Sequence, residues 1–159
     1  MLVFVKYIHL LTLVIWVGSI VFFSFIGAPA IFKNFDKKTA GDIVGVIFPK
    51  YFMLGQVCSV LALITLVVIG MKTGFQSSVK VGLALLLIMA GVVAYSSMVN
   101  APKAHEVKYQ IRSEQDETKK AELRKQFGKL HGVSMILNLT TLILGLVLLF
   151  YFIRYVTLS

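Results

Sequence analysis

Four long apolar runs constrain this chain more than any other feature. They cover roughly residues 2–26, 51–71, 80–99 and 132–153, and only Lys6 interrupts the first. A helix needs about 20 apolar residues to cross a hydrocarbon core of about 30 Å, and each run meets that length. Hydrophobic residues make up 58% of the 159 positions and charged ones only 14%, against about 25% charged in soluble domains. The short alternating segments of a membrane β-barrel are absent. The first run is too long for a signal-peptide core, although Ala28-Pro29-Ala30 follows it. The pattern predicts an all-α integral membrane protein. Its single transmembrane domain, 1–159, is an antiparallel up-down four-helix bundle.

Four spans put both termini on one side and the connections 27–50 and 100–131 on the other. Twelve of the sixteen Lys and Arg residues belong to those two connections, while Lys6, Lys72, Lys80 and Arg154 belong to the terminal side. This asymmetry predicts cytoplasmic connections and outside termini. It also explains the net charge of +9 without nucleic acid, because the basic residues flank spans and do not form a groove-reading face. Within the second connection, Ser113-x-x-Asp116 reads as a cap for a helix over about 113–131, leading into the fourth span. Asp116/Lys120 and Glu122/Lys125 would support it as ion pairs. The segment is either a plain cytoplasmic helix or a surface for phospholipid or a partner.

Polar side chains inside a span turn toward a bundle interior or a cavity. His9, Thr12, Trp16, Ser19 and Phe23 fall at spacings of 3, 4, 3 and 4, as do His131, Ser134, Asn138, Thr141 and Gly145. Each set is one helix face, so both are expected to line the interior. Gly18 and Gly145 are expected at helix contacts, where glycine permits close approach.

Depth divides these groups. At 1.5 Å per residue, His9 lies about 9 Å from the middle of its span toward the terminal side, while Gln56, Tyr95 and Asn138 lie about 7–9 Å toward the other. Two readings of the latter cluster stand side by side. It is hydrogen-bonding glue between helices, or it is a cytoplasmic-side ligand pocket. In the second case Gln56, Tyr95 and Asn138 form the floor, His131 and Lys50 the rim, and Asn100 and His105 the edge, with Ser134 also among the pocket residues.

His9 is either a structural imidazole or an axial ligand to haem iron, with Thr12 and Trp16 around a haem b. His131 is about 18 Å from midplane on the opposite side, too far to be a second ligand to the same iron. The single cysteine, Cys58, rules out an intrachain disulfide and a multi-cysteine metal site. No span carries an acid for proton-coupled transport. Ser24 and Cys58 have no base at their depth, so nucleophilic catalysis has no support.

His9-Leu-Leu-Thr-Leu-Val-Ile-Trp16-Val-Gly18, Ala28-Pro29-Ala30-Ile31-Phe32, Phe48-Pro49-Lys50-Tyr51 and Leu130-His131-Gly132-Val133-Ser134-Met135-Ile136-Leu137-Asn138 resemble stretches of the transmembrane-protein-205-like family. The resemblance implies a small four-helix membrane protein, and eukaryotic members are associated with resistance to platinum drugs. His9-x6-Trp16 followed by Gly18 is similar to the first helix of copper-resistance D proteins and HemJ-type oxidases. That likeness implies haem binding by His9 and a link to metal resistance. The functional expectation is therefore a haem-handling or redox-associated membrane protein. The alternatives are an accessory subunit of a larger membrane complex, or a binding or transport-associated protein with a cytoplasmic-side pocket. Its expected partners are the lipid bilayer and a second copy or other membrane subunits.

Overall fold

In a computed structural model the chain is all-helical. The structure describes residues 1–157, with side chains through Ile153, so Arg154 in the charge count lies outside the described side chains. The elements are α1 (Leu2–Phe22), a π-helical turn (Phe23–Gly27), α2 (Ala28–Asn34), α3 (Lys37–Thr73), α4 (Ser77–Tyr95), a second π-helical turn (Ser96–Asn100), α5 (Ala101–Ser113) and α6 (Glu117–Thr157). Four helices are long and apolar enough to cross a membrane, Leu2–Asn34, Lys37–Thr73, Ser77–Ser113 and Glu117–Ile153. They form a ring in which each span packs on two neighbours: the first on the second and fourth, and the third likewise.

The expected long connections are mostly helix. Each span continues through its neighbouring connection, so the breaks on the loop side shrink to Phe35–Asp36 and Glu114–Asp116. A 37-residue helix such as α3 is about 55 Å long and extends about 25 Å beyond a 30 Å core. Both breaks are closed by aspartate caps. Asp36 accepts from the Lys38 and Thr39 amides at 2.9 and 3.1 Å, and Asp116 from the Thr118 and Lys119 amides at 2.8 and 3.3 Å. Asp116 therefore starts the helix that Ser113 was expected to cap; Ser113 ends α5, with its hydroxyl turned back on Tyr109 and Gln110. Lys120 pairs with Glu117 at 3.0 Å rather than with Asp116, and Glu122 and Lys125 form no ion pair among the described residues.

On the terminal side, α3 ends at Gly74, whose φ of +81° suits glycine alone among common residues. Phe75 then folds back over Gly70, where a Cβ would lie 2.6 Å from the ring.

The two π-helical turns share a sequence context, which Pro49 inside the unbroken α3 lacks. Each precedes an Ala-Pro pair, Ala28-Pro29 and Ala101-Pro102. A proline ring clashes with the carbonyl four residues earlier, here Phe25 and Met98, and those residues sit at the centres of the two turns. Widening the turn relieves the clash without breaking the helix.

Leu13, Trp16, Val17, Ile20, Ala62, Leu66, Leu86, Met89, Leu142 and Leu148 form the buried core at mid-span. Gly145 belongs to it, since a Cβ there would meet Val17 Cγ2 at 2.7 Å. Gly18 does not: a Cβ there would have nothing within 4 Å, because the Trp16–Val17–Ile20 face turns this residue outward. Gly55 takes the expected role instead, with a Cβ position 3.2 Å from Trp16 Nε1 and 3.4 Å from Val93.

Beyond the bilayer, Lys108 and Arg112 of α5 clasp Asp42 of α3, with Lys108 Nζ 3.1 Å from the carboxylate and 2.8 Å from the Gly41 carbonyl. The Arg112 guanidinium and then the Lys108 ammonium hold the Asp42 carboxyl below its usual range. A depressed folded-state value means the clasp is intact above the ordinary carboxylate range and is lost as pH falls through the lowered value. Spin labels at Thr39 and Ser113 should give one distance from pH 8 to 5, broadening only below about pH 4. Asp42→Asn should broaden it throughout. Broadening between pH 7 and 5 in the native chain would contradict the clasp.

Candidate functional site

A cavity of about 490 Å³ lies in the loop-side half of the bundle. Its walls are aromatic and apolar, from Trp16, Phe23, Phe25 and Phe32 of the first span, Phe48 and Phe52 of the second, and Leu139 and Leu142 of the fourth. The first π-helical turn contributes here, since it brings the consecutive residues Phe23, Ser24 and Phe25 to one cavity. Phe25 and Phe32 on one edge, and Met135 and Leu139 on the other, are all more than half exposed while lining it. The mouth therefore opens sideways between the first and fourth spans, on an apolar flank of the bundle.

Its polar groups are organised by two asparagines. Tyr51 donates to Asn138 Oδ1, and Asn138 Nδ2 donates to Ser24 Oγ at 2.8 Å, so one amide ties three spans together. Asn100 Nδ2 donates to Ser134 Oγ at 2.7 Å and to the Leu130 carbonyl at 3.2 Å, joining the third and fourth. Thr12, Ser59, Thr65, Ser96, Ser97 and Thr141 turn their hydroxyls back on a carbonyl three or four residues earlier, the usual way to satisfy a hydroxyl in a membrane helix. Ser24 and Ser134 do not. Each accepts from an asparagine, and no acceptor for its own hydrogen lies among the described residues. Both line the cavity. Asn138→Leu removes two interhelical hydrogen bonds and should cost about 1–3 kcal/mol of bundle stability, read as detergent thermal stability. An unchanged transition would contradict the network.

Of the expected pocket residues, His131, Ser134 and Asn138 line this cavity. Asn100 is buried behind Ser134 and acts through it. Gln56 and Tyr95 do not form its floor: Gln56 donates to Ser97 at 2.7 Å, and Tyr95 is about half exposed on the outer surface. Both sit at the expected depth, but helix rotation turns them elsewhere. Lys50 is exposed beside the aromatic wall, and His105 lines a separate cleft of about 260 Å³ with Asp42, Lys108 and Arg112. The residues that sequence reasoning missed are Ser24 as a cavity hydroxyl that accepts from Asn138, Tyr51 as the partner of Asn138, and the aromatic wall. The Ala-Pro pairs were the available signal.

His9 lies apart, as its depth predicts. It is wholly buried, with Nδ1 2.8 Å from Thr65 Oγ1. The Thr65 hydroxyl already donates to the Leu61 carbonyl at 2.7 Å, which makes the imidazole N–H the donor. Phe152 stacks on the ring with centroids 5.9 Å apart. Thr12 turns to the Ile8 carbonyl, and Trp16 lines the cavity instead of surrounding His9. A porphyrin at His9 would need space that Phe152 and the helix contacts fill, so this packing does not fit haem. Met71, a soft thioether near the same end of the bundle as His9, is 71% exposed on the outside. No cluster of three or more metal-ligating His, Cys, Asp or Glu occurs among the described residues.

Fold and cavity together define a small four-span helical membrane protein with a laterally open cavity in the loop-side half of its bundle. The family model described as "Domain of unknown function (DUF4149)" matches residues 11–113, and the chain belongs to that family. It is also 35% identical over 137 residues to an "Uncharacterized protein" of Aquifex aeolicus (strain VF5), covering 86% of each chain. No solved structure matches. These relations support an uncharacterised small membrane family; they carry neither the transmembrane-protein-205-like nor the copper-resistance D resemblance.

Proposed function

We propose that this chain is a membrane binding protein that admits a lipid-soluble molecule from the bilayer into its loop-side cavity. The observation that carries this reading is the combination of a lateral mouth, an apolar aromatic wall and a polar end built by Asn138 and Asn100. Ligand sites in general share this composition, apolar walls with a few placed polar groups. This reading takes His131, Ser134 and Asn138 as pocket residues without Gln56 and Tyr95 as a floor, and draws its occupant from the membrane rather than from water. A role in transport or as a subunit of a larger complex is compatible with such a site.

Trp16 is the chain's single tryptophan, lines the cavity and is only 2% exposed. Its fluorescence should be quenched by phosphatidylcholine carrying brominated acyl chains. The quenching should fall at least severalfold in Ser24→Leu, which fills the polar end while Trp16 stays in place. Quenching equal in both proteins, or absent in both, would sink the proposal.

The haem reading has its own test. Protein expressed with excess haem and purified in detergent is expected to show no Soret band. A band abolished by His9→Ala would overturn the packing described for His9.

A further inference from the structure

Resting on the cavity reading, we infer that the occupant is an anionic glycerophospholipid of the loop-side leaflet, held with one acyl chain against the aromatic wall and its ester oxygens at Ser24 and Ser134. Those two hydroxyls are the cavity's distinguishing chemistry. Each has its oxygen occupied by an asparagine amide and its hydrogen without an acceptor among the described residues. They are donors waiting for acceptors, so the ligand presents oxygens rather than N–H groups at that end. Glycerolipid esters supply two carbonyl oxygens at the junction between chains and headgroup, the depth to which a leaflet lipid entering sideways would bring them.

Charge selects the headgroup. Lys33 lies four residues after Pro29, on the face by which that proline lines the cavity, and is exposed. Arg124 lies seven residues before His131 on the lining face of α6, about 10 Å further from the membrane, and is exposed. Neither forms a salt bridge among the described residues. Their backbones lie about 13 and 15 Å outward of the two serines, on both edges of the mouth, and their long side chains reach back from there toward a headgroup that extends from the ester region toward water. A basic residue near the surface gives about a fivefold preference for an anionic lipid.

The test is lipid retention by the full chain, delipidated in detergent and offered equal amounts of phosphatidylglycerol and phosphatidylcholine with identical chains, read by native mass spectrometry. Phosphatidylglycerol should be retained about tenfold or more over phosphatidylcholine. Lys33→Gln with Arg124→Gln should bring the ratio within about twofold of unity. Ser24→Ala with Ser134→Ala should instead lower retention of both lipids and leave the ratio in place. The inference fails if the native chain shows no preference, if the charge variant keeps the full preference, or if a neutral isoprenoid quinone displaces both lipids. In each of those cases brominated-chain quenching of Trp16 still decides the cavity reading separately. Loss of quenching would end both.

Discussion

Trp16→Ala should lower bundle stability more than any other single truncation in the membrane half. The indole is the largest of the fully buried side chains; its Nε1 edge packs against Gly55, and the residue lines the cavity. Truncating a buried Trp in water costs about 3–5 kcal/mol. In a bilayer, lipid is as apolar as the bundle interior, so the transfer part falls away. Lost dispersion contacts and the enlarged void remain. The lower end of the range, about 3 kcal/mol, is therefore expected. Trp16→Phe should recover a large part of it. Thermal unfolding in detergent, followed by circular dichroism, checks both. A loss no greater than that of lipid-facing Phe4→Ala would mean that Trp16 does not organise the bundle.

Gly145→Leu is the second severe change. With a Cβ only 2.7 Å from Val17 and 3.4 Å from Met89, even alanine forces a shift, and leucine pushes the fourth span away from Val17 of the first and Met89 of the third. Overpacking a tight core costs about 1–3 kcal/mol, and here it falls on the short, branched Val17 side chain, which has little freedom to move aside, so the upper end is expected. Gly18→Leu makes the paired control, since it points to open space and should leave the transition in place. Equal loss in both variants would contradict the helix rotations described above.

The contrast between those glycines shows what the residues alone make legible. Run length establishes four spans because hydrocarbon thickness leaves little freedom. The 3-4-3-4 stripes identify interior faces, and His9, Thr12, Trp16, Asn138, Thr141 and Gly145 all turn inward to some degree. Gly18 escapes the pattern because glycine is equally at home on a contact and on a lipid face, and only the neighbouring helix decides. Gln56 and Tyr95 depart from their expected place for a related reason. Depth along a helix follows from counting, but the second and third spans carry too few polar residues to define a face by themselves. Outside the helix expected over about 113–131, the long connections read as loops because their composition is polar. Helices continue there because aspartate caps at Asp36 and Asp116 and ties such as Asp42 to Lys108 replace the apolar stripe as the source of order. The cavity is hidden in the Ala-Pro pairs, whose effect depends on a turn widening that no periodicity records.

Entry of a lipid-soluble molecule between the first and fourth spans, into the loop-side cavity, should leave a chemical trace on the cavity wall. The decisive experiment is photolabelling with a phospholipid carrying a diazirine near the chain terminus, followed by peptide mapping. An occupied cavity predicts labelling of inward wall residues such as Phe52 and Leu142 in addition to the outer lipid-facing surface, and loss of that inner labelling in Ser24→Leu. Labelling confined to outward residues such as Ile64, Leu87 and Leu146, and unchanged by Ser24→Leu, would contradict it.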